Sequence, residues 1–337
     1  MFDAYRLLRP LLFALPAETA HGATLAGLDA AHRLGLLRAR PAGRPVRCLG
    51  LELANGVGLA AGLDKNADHV DALGALGFGS IEVGTVTPRP QPGSPRPRLF
   101  RLPSAEALIN RMGFNNKGVD HLVRQLERRR YTGHVGVNIG RNADTPPEQA
   151  VEDYRTGLKR AHGVADWITV NISSPNTTGL RDLQGADQIG RLLGELRETA
   201  EGLDGAGRRV PLVVKIAPDL HQDGVAAIAR AVREAGIDGV IATNTTIDRT
   251  SVRNLAHGEE SGGLSGAPVA PVARQVLEWL VAELDGAADV IAAGGILDGR
   301  EAAERVAAGA CLVQLYTGLI YRGPGLVREV AEAVARA

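Results

Sequence analysis

The sequence predicts a (β/α)8 TIM barrel, an α/β fold in which eight parallel strands alternate with helices, preceded by an N-terminal two-helix extension. Short apolar segments recur along the 337 residues and are separated by longer segments with helical periodicity. VPLVVKI at 210–216 and VIAA at 290–293 are apolar without alternation, which is typical of strands buried on both faces of a parallel sheet. Eight such units favour a closed barrel over a doubly wound sheet.

The predicted elements follow one another in a strand–loop–helix rhythm. The strands are predicted to end near residues 61, 85, 139, 171, 216, 243, 294 and 315. Helices are predicted at about 66–77, 117–130, 147–163, 187–202, 222–235, 271–284, 300–308 and 324–336. Residues 39–50 are rich in Pro, Arg and Gly and predict a linker, and a long Pro- and Arg-rich loop is predicted after the second strand.

Two helices are predicted ahead of the barrel, which divides the chain into residues 1–40 and 41–337. Apolar residues at 2, 5, 8, 12 and 15 form one helical stripe, which Pro10 is expected to interrupt or kink. A second helix is predicted over about 17–37. From the residues alone three interpretations are open, namely packing on the barrel, contact with a partner, or insertion into a membrane surface, and packing is favoured.

The composition is that of an ordinary globular protein and argues against several function classes. The formal net charge is zero, so no broad basic surface predicts nucleic-acid binding. No apolar run approaches the ~18–20 residues that span a bilayer, and we expect no secretory signal. The histidines show no metal-ligand spacing, so no metal site is expected, and Cys48 and Cys311 are predicted to be two reduced, buried thiols.

Polar residues cluster where the predicted strands end, and in a barrel these ends converge on the face that carries active sites. The clusters include AAGLDKN at 60–66, NIG at 138–140, NISSPNTTGL at 171–180, KIAP at 215–218 and TNTT at 243–246. Taken alone, NISSPNTTGL indicates a turn about as strongly as an active site. Its position among the other polar strand ends favours chemistry.

The strand ends also indicate what kind of ligand is bound. GG at 294–295 and YTG at 316–318 follow the last two strands, where barrels often bind a phosphate. Asn138, Asn171 and Asn244 suit the edge of a heterocycle. Lys215 is explained equally by a salt bridge inside the barrel and by a ring or anion of the ligand. No hydrolytic triad, nucleophile elbow or P-loop is recognised, so cofactor chemistry is favoured over hydrolysis.

Six longer strings occur in one order along the chain: AAGLDK at 60–65, GTVTPRPQPG at 84–93, INRMGFN at 109–115, NISSPN at 171–176, VKIAP at 214–218 and TNTT at 243–246. Together they closely resemble the quinone-dependent (class 2) dihydroorotate dehydrogenases, and the resemblance covers essentially the whole chain. It implies an FMN-binding barrel that oxidises (S)-dihydroorotate to orotate in pyrimidine synthesis and passes the electrons to a membrane quinone. Class 2 members carry N-terminal helices and a catalytic Ser, which residues 1–40 and Ser174 would match.

The resemblance also implies roles for individual residues, with Ser174 as the catalytic base. FMN would contact Ala61, Gly62, Leu63, Asp64, Lys65, Thr85, Asn138, Asn171, Lys215, Thr243, Gly266, Gly295, Tyr316 and Thr317. Dihydroorotate would contact Lys65, Asn110, Arg111, Met112, Gly113, Phe114, Asn171, Asn176, Asn244 and Thr245. The quinone tunnel beneath the helices would be lined by His21, Arg101 and Tyr316.

Further expectations follow from the same resemblance. The protein would be a monomer, held peripherally at the cytoplasmic side of the cell membrane by residues 1–40. Ser174 would pass its proton onward through water or a hydroxyl such as Thr87 or Thr177. Thr178 stands where relatives often have Pro, which leaves the flexibility of the active-site lid open.

Two rival functions are weighed against this one. The first is another FMN barrel enzyme, such as an NAD- or fumarate-linked dihydroorotate dehydrogenase, against which the N-terminal helices and Ser174 argue. The second is a non-catalytic barrel that binds a phosphate ligand.

Overall fold

Two helices and a hairpin precede the barrel. The structure, a computed structural model, describes residues 2–37, 41–177, 179–205 and 208–337. The first elements are α1 (Phe2–Ala14), α2 (Ala17–Arg33), β1 (Val46–Cys48) and β2 (Leu51–Leu53), the last two of which pair antiparallel. The expected interruption at Pro10 is wrong, because α1 continues through this residue. The prediction of a linker over residues 39–50 is also wrong in part, because β1 lies within this range.

Eight parallel strands close into a barrel, which confirms the predicted fold class. The remaining strands are β3 (Val57–Leu59), β4 (Ser80–Val86), β5 (Leu99–Leu102), β6 (Ala107–Asn110), β7 (His134–Ile139), β8 (Trp167–Asn171), β9 (Leu212–Ile216), β10 (Gly239–Ala242), β11 (Gly263–Gly266), β12 (Asp289–Ala293) and β13 (Leu312–Leu315). The barrel order is β3, β4, β7, β8, β9, β10, β12 and β13, with β13 pairing back to β3. Every residue of β4, β8, β9 and β10 is buried, as the unalternated apolar sequences of β9 and β10 predict.

Helices connect the barrel strands and cover their outer faces. They are α3 (Val70–Gly74), α4 (Val119–Arg128), α5 (Ala150–Ala161), α6 (Ala186–Leu203), α7 (Gln222–Glu234), α8 (Ala270–Leu284), α9 (Gly299–Ala307), α10 (Thr317–Arg322) and α11 (Gly325–Val334). Short 3₁₀ turns lie at Pro103–Ala105, Pro147–Gln149, Arg181–Gln184 and Ala267–Val269. Helix α3 is shorter than predicted, because the carboxylate of Asp64 binds the backbone N–H groups of Asn66, Asp68 and His69 and holds that segment as a loop. Helix α10 was not predicted.

A second, antiparallel sheet lies over the barrel and was missed by the sequence analysis. The predicted long loop after the second barrel strand contains β5 and β6, and β6 pairs with β11 from the far end of the chain. In this register Asn110 lies opposite Gly263. The sheet thereby brings Asn110 to the carboxyl end of the barrel, where the polar strand ends converge.

An apolar plug closes the opposite end of the barrel. Leu49 and Leu53, from the hairpin, pack with Trp167, Val213 and Leu312 from the barrel interior. The indole of Trp167 lies where a Gly136 side chain would be, and an added Cβ there would meet indole Cε2 at 2.0 Å. Water is thus excluded from the lower half of the barrel.

The two cysteines meet at this plug, which corrects the prediction of reduced thiols. Cys48 ends β1 and Cys311 immediately precedes β13, and the structure joins them in a disulfide with 5.5 Å between the Cα atoms. Their separation of 263 positions in the sequence gave no indication of this contact. Among the described residues the one group of three candidate metal ligands is Cys48, Asp289 and Cys311, and its sulfurs are bonded to each other rather than free as thiolates.

Gly136→Ala is expected to destabilise the fold by about 1–3 kcal/mol, because the added methyl group overpacks the barrel against Trp167. The measurement is the urea midpoint followed by tryptophan fluorescence. The matched control is Gly194→Ala on α6, where an added Cβ has nothing within 4 Å and the gain in helix propensity favours the folded state. Equal effects of the two substitutions would contradict the packing argument.

Candidate active site

A cavity of about 1040 Å³, partly open to solvent, lies over the carboxyl ends of the barrel strands. The predicted site residues that line it are Ala61, Gly62, Lys65, Thr85, Asn110, Met112, Gly113, Phe114, Asn171, Ser174, Asn176, Lys215, Thr243, Asn244, Thr245, Gly266, Gly295, Tyr316 and Thr317. The strand-end clusters therefore converge on one chamber. Leu63, Asp64, Asn138 and Arg111 lie outside the lining.

Two of these four residues support the cavity wall from behind. The Asp64 carboxylate fixes the loop that carries Lys65, and Asn138 lies beneath the floor, hydrogen-bonded to Thr85 and Asn171. Arg111 points away and pairs with Glu260 at 2.7 Å.

The polar floor of the cavity is built on a buried carboxylate. Glu82, on β4, accepts hydrogen bonds from Asn138 Nδ2 at 2.7 Å and Gln314 Nε2 at 2.6 Å. Gln314 lines the cavity and was missed by the sequence analysis. The sequence did carry a signal for it, because Gln314 is a polar residue in an apolar strand. It lies two positions from Leu312 and two from Tyr316, so the three side chains point to the same face of the strand.

Lys215 brings a cation into this floor. It is buried, and burial lowers the pKa of its ammonium, an effect that the negative charge of Glu82 opposes. In the described part of the chain no carboxylate lies within salt-bridge distance of Lys215, because the oxygens of Glu82 are taken by the two amides. Of the two explanations left open for Lys215, the direct salt bridge is therefore not formed, and the ammonium is available to a ligand.

Ser174 lies in the loop after β8 and is buried at the cavity wall. Its Oγ accepts a hydrogen bond from the backbone N–H of Asn176 at 3.2 Å, and Asn176 Nδ2 donates to the backbone carbonyl of Asn110 at 3.3 Å. Among the described residues the Ser174 hydroxyl accepts this hydrogen bond and donates none, so its proton can be exchanged with a ligand or water. Thr178, the departure from the family pattern, lies outside the described residues.

The Lys65 loop supplies a second cation from the opposite wall. Lys65 Nζ donates to the backbone carbonyl of Gly62 at 2.8 Å. Burial, and then the positive charge of Arg98, lower the pKa of Lys65 to about 8. Burial raises the pKa of Asp64, against the effect of its backbone N–H donors. An anionic ligand group beside Lys65 would favour the ammonium form.

The far end of the cavity is formed by close backbone rather than by side chains. Gly266 and Gly295 have φ values of 98° and 79°, in the left-handed region that favours glycine. A Cβ on Gly295 would meet Ala270 Cα at 2.4 Å. Gly294, which precedes it, also lines the cavity. Backbone groups can therefore approach a ligand closely at this end.

A second cavity, of about 900 Å³, lies between the N-terminal helices and the barrel. Its lining is mostly apolar and includes the three residues assigned to the tunnel, His21, Arg101 and Tyr316. Burial, and then the positive charges of Lys65 and His69, lower the pKa of His21 to about 4. Tyr316 lines both cavities and so separates them by a single side chain.

The helices above this second cavity are held at one side and exposed at the other. Glu18 pairs with Arg98 at 2.7 Å, and His69 Nδ1 lies 2.7 Å from Asp29 Oδ2. Leu7, Leu11 and Leu34 are 77%, 68% and 74% exposed on the outer side. Among the described residues, no helix is both long and apolar enough to span a membrane.

Comparison with known proteins gives the family. The model of the family described as dihydroorotate dehydrogenase matches residues 45–337. The chain belongs to the dihydroorotate dehydrogenase family. It is similar to proteins named "Dihydroorotate dehydrogenase (quinone)" from Marinobacter nauticus, at 55% identity over 98% of this chain and 99% of that one, and from Azotobacter vinelandii, at 56% identity over 98% and 96%.

Solved structures give the same result for the fold. The dihydroorotate dehydrogenase of Eimeria tenella in complex with ferulenol has a TM-score of 0.86 to this chain, with 38% identity over 94% of this chain and 90% of that one. The ligand-free form from the same organism gives 0.85, with 39% identity over 92% of each chain.

Proposed function

We propose that this protein oxidises (S)-dihydroorotate to orotate with FMN as cofactor and a membrane quinone as electron acceptor, in pyrimidine synthesis. One observation carries the proposal: a polar cavity with Ser174, five side-chain amides and two lysines adjoins a largely apolar cavity, and Tyr316 lines both. A polar substrate and an apolar acceptor can thus use the two sides of one cofactor. The names of the relatives agree with both halves of the reaction.

The residues present fit FMN. The close backbone at Gly266 and Gly295 suits the phosphate. The barrel floor offers the ring Lys215 and the buried carbonyl of Gln314, which has no hydrogen-bond partner among the described residues. When bound, FMN supplies the two-electron chemistry that the side chains lack. The residues proposed to hold it are those assigned by the sequence, with Asp64 and Asn138 acting from behind the cavity wall and Leu63 lining the second cavity.

The substrate is proposed to lie between Lys65 and Ser174. Oxidation removes a proton from C5 and a hydride from C6 of dihydroorotate and leaves a double bond between these atoms. Ser174 Oγ takes the proton, while Asn110, Asn176 and Asn244 hold the ring flat and Lys65 pairs with the carboxylate. Positioning of this kind lowers the entropic part of the barrier.

The proton route from Ser174 is proposed to lead to water. Thr87 is buried outside the cavity lining, donates to the carbonyl of Arg89 at 2.7 Å and accepts from Asn116 and Asn142. Its hydroxyl is therefore fully used, which makes it a poor relay. Thr177 follows in the same loop and is the alternative hydroxyl.

Residues 1–40 are proposed to place the protein peripherally on the cytoplasmic side of the cell membrane, as a monomer, with the apolar cavity open to quinone. The exposed leucines of α1 support this, since a monomer with no membrane contact would leave them in water. Packing on the barrel, which the residues alone favoured, explains only the side of these helices that faces the barrel.

Ser174→Ala is expected to lower the rate of flavin reduction by dihydroorotate by about 10²–10⁴-fold, because the C5 proton loses its acceptor. FMN content should stay the same. The measurement is anaerobic stopped flow, and Ser174→Cys is the matched variant, because a thiol keeps a proton acceptor at this position. Reduction by Ser174→Ala within a few-fold of the wild-type rate would rule out the base assignment.

Lys65 gives the substrate affinity a defined pH dependence. Its pKa of about 8 means that the ammonium is present below this pH and is lost above it. The Kd of orotate should be constant below about pH 8 and then rise by up to about tenfold per pH unit. Titration of flavin absorbance between about pH 6.5 and 9.5 measures it. Lys65→Arg stays charged and should give a flat curve, so an identical rise in this variant would assign the effect to another group.

Leu7→Glu with Leu11→Glu is expected to weaken binding to lipid vesicles by at least about tenfold, because two apolar anchors are replaced by charges. Turnover with vesicle-borne quinone should fall in parallel, while flavin reduction by dihydroorotate stays unchanged. The matched control is Ile247→Glu, at a residue 56% exposed and distant in sequence from the N-terminal helices. Unchanged vesicle binding by the double variant would contradict the proposed membrane face.

A further inference from the structure

The carboxylate of Glu82 has two hydrogen-bond donors and no contact with solvent. It is 1% exposed, and one oxygen accepts from Asn138 while the other accepts from Gln314. A carboxylate only accepts hydrogen bonds, whereas an amide can turn either its NH₂ group or its carbonyl toward a neighbour. Glu82 therefore forces both amides to turn their NH₂ groups toward it and their carbonyls away.

The orientation of Asn138 is passed on along the cavity floor. Its carbonyl accepts from the Thr85 hydroxyl and from Asn171 Nδ2. The Asn171 carbonyl in turn accepts from the Ser173 hydroxyl at 3.0 Å, and Ser173 Oγ accepts from Asn244 Nδ2 at 2.9 Å. All donors in this chain of side chains point toward Glu82, so a single carboxylate fixes the direction of the whole chain.

The orientation of Gln314 leaves an acceptor facing the ligand. Its Oε1 is buried and has no hydrogen-bond partner among the described residues, and Gln314 lines the cavity. A buried carbonyl without a partner costs free energy, which a ligand N–H group can recover. Lys215 lines the same cavity, and the negative charge of Glu82 opposes the effect of burial on its ammonium.

We propose that Glu82 is a positioning residue that sets the hydrogen-bond polarity and the charge of the cavity floor toward the cofactor ring. It holds Gln314 as an acceptor for a ring N–H group and moderates the positive charge of Lys215. The inference rests on the proposed function, because the ring concerned is that of FMN. It adds two residues, Glu82 and Gln314, to those assigned above to FMN and dihydroorotate.

Glu82→Gln tests this with a change that keeps shape and removes charge. The new amide can accept from only one of its two neighbours and must donate to the other, so either Asn138 or Gln314 has to turn around. FMN should dissociate at least about tenfold more readily. Because a negative charge is lost, the reduced cofactor should be favoured at least about tenfold, which is a rise in midpoint potential of about 30 mV for two electrons.

Two further variants separate this role from plain packing. Thr169→Val changes the same interior of the barrel at a buried hydroxyl that has no partner in the described part of the chain, and it should leave both FMN affinity and potential unchanged. Glu82→Gln combined with Gln314→Glu returns a carboxylate to the floor and pairs every donor again. Its potential should fall below that of the wild type, because the negative charge moves from behind the cavity lining to position 314, which lines the cavity, while an oxygen that accepts from the ring N–H group is kept. This variant also provides the test if Glu82→Gln alone does not fold.

The outcomes distinguish the inference from the function on which it rests. If wild-type protein takes up FMN and is reduced by dihydroorotate, but Glu82→Gln or the double variant has wild-type potential and FMN affinity, the role of Glu82 is overturned and the proposed function stands. If wild-type protein takes up no FMN, both are overturned. Weaker FMN binding in Glu82→Gln, with a potential that rises in this variant and falls below that of the wild type in the double variant, supports the role.

Discussion

The burial of the Glu82 carboxylate is the constraint on which the cavity depends. A buried carboxylate is stable only if both of its oxygens find donors, and barrel closure provides them from β7, which pairs with β4, and from β13, which lies beyond β3 on the other side of β4. The apolar plug around Trp167 lies below and excludes water. The cavity above thus has a dry, ordered floor on which donors, acceptors and the Lys215 charge keep fixed positions.

The Lys65 loop connects this floor to the N-terminal helices. Asp64 binds three backbone N–H groups of the loop, and one of these belongs to His69, whose ring contacts Asp29 of α2. The group proposed to hold the substrate carboxylate is therefore tied to the helices that cover the apolar cavity. The two proposed half-reactions therefore use separate cavities that have one wall in common.

The barrel was predictable because strands buried on both faces have unalternated apolar sequences, and because polar clusters followed each of them. The antiparallel sheet was missed, since β5 and β6 are four residues each within a Pro- and Arg-rich segment. The pairing of Cys48 with Cys311 depends on tertiary contact that spacing does not encode. Most of the assigned residues do line one cavity, but their hydrogen-bond partners, Glu82 above all, became visible only when the strands were placed side by side.

The central claim, that dihydroorotate and quinone react in turn at one flavin, is tested most directly by an anaerobic titration of the purified protein. We predict a yellow protein whose visible flavin absorbance is bleached by one equivalent of dihydroorotate and restored by one equivalent of quinone, but not by NAD⁺ or fumarate. A protein that takes up no FMN, or whose colour returns with NAD⁺ or fumarate and not with quinone, would contradict the account.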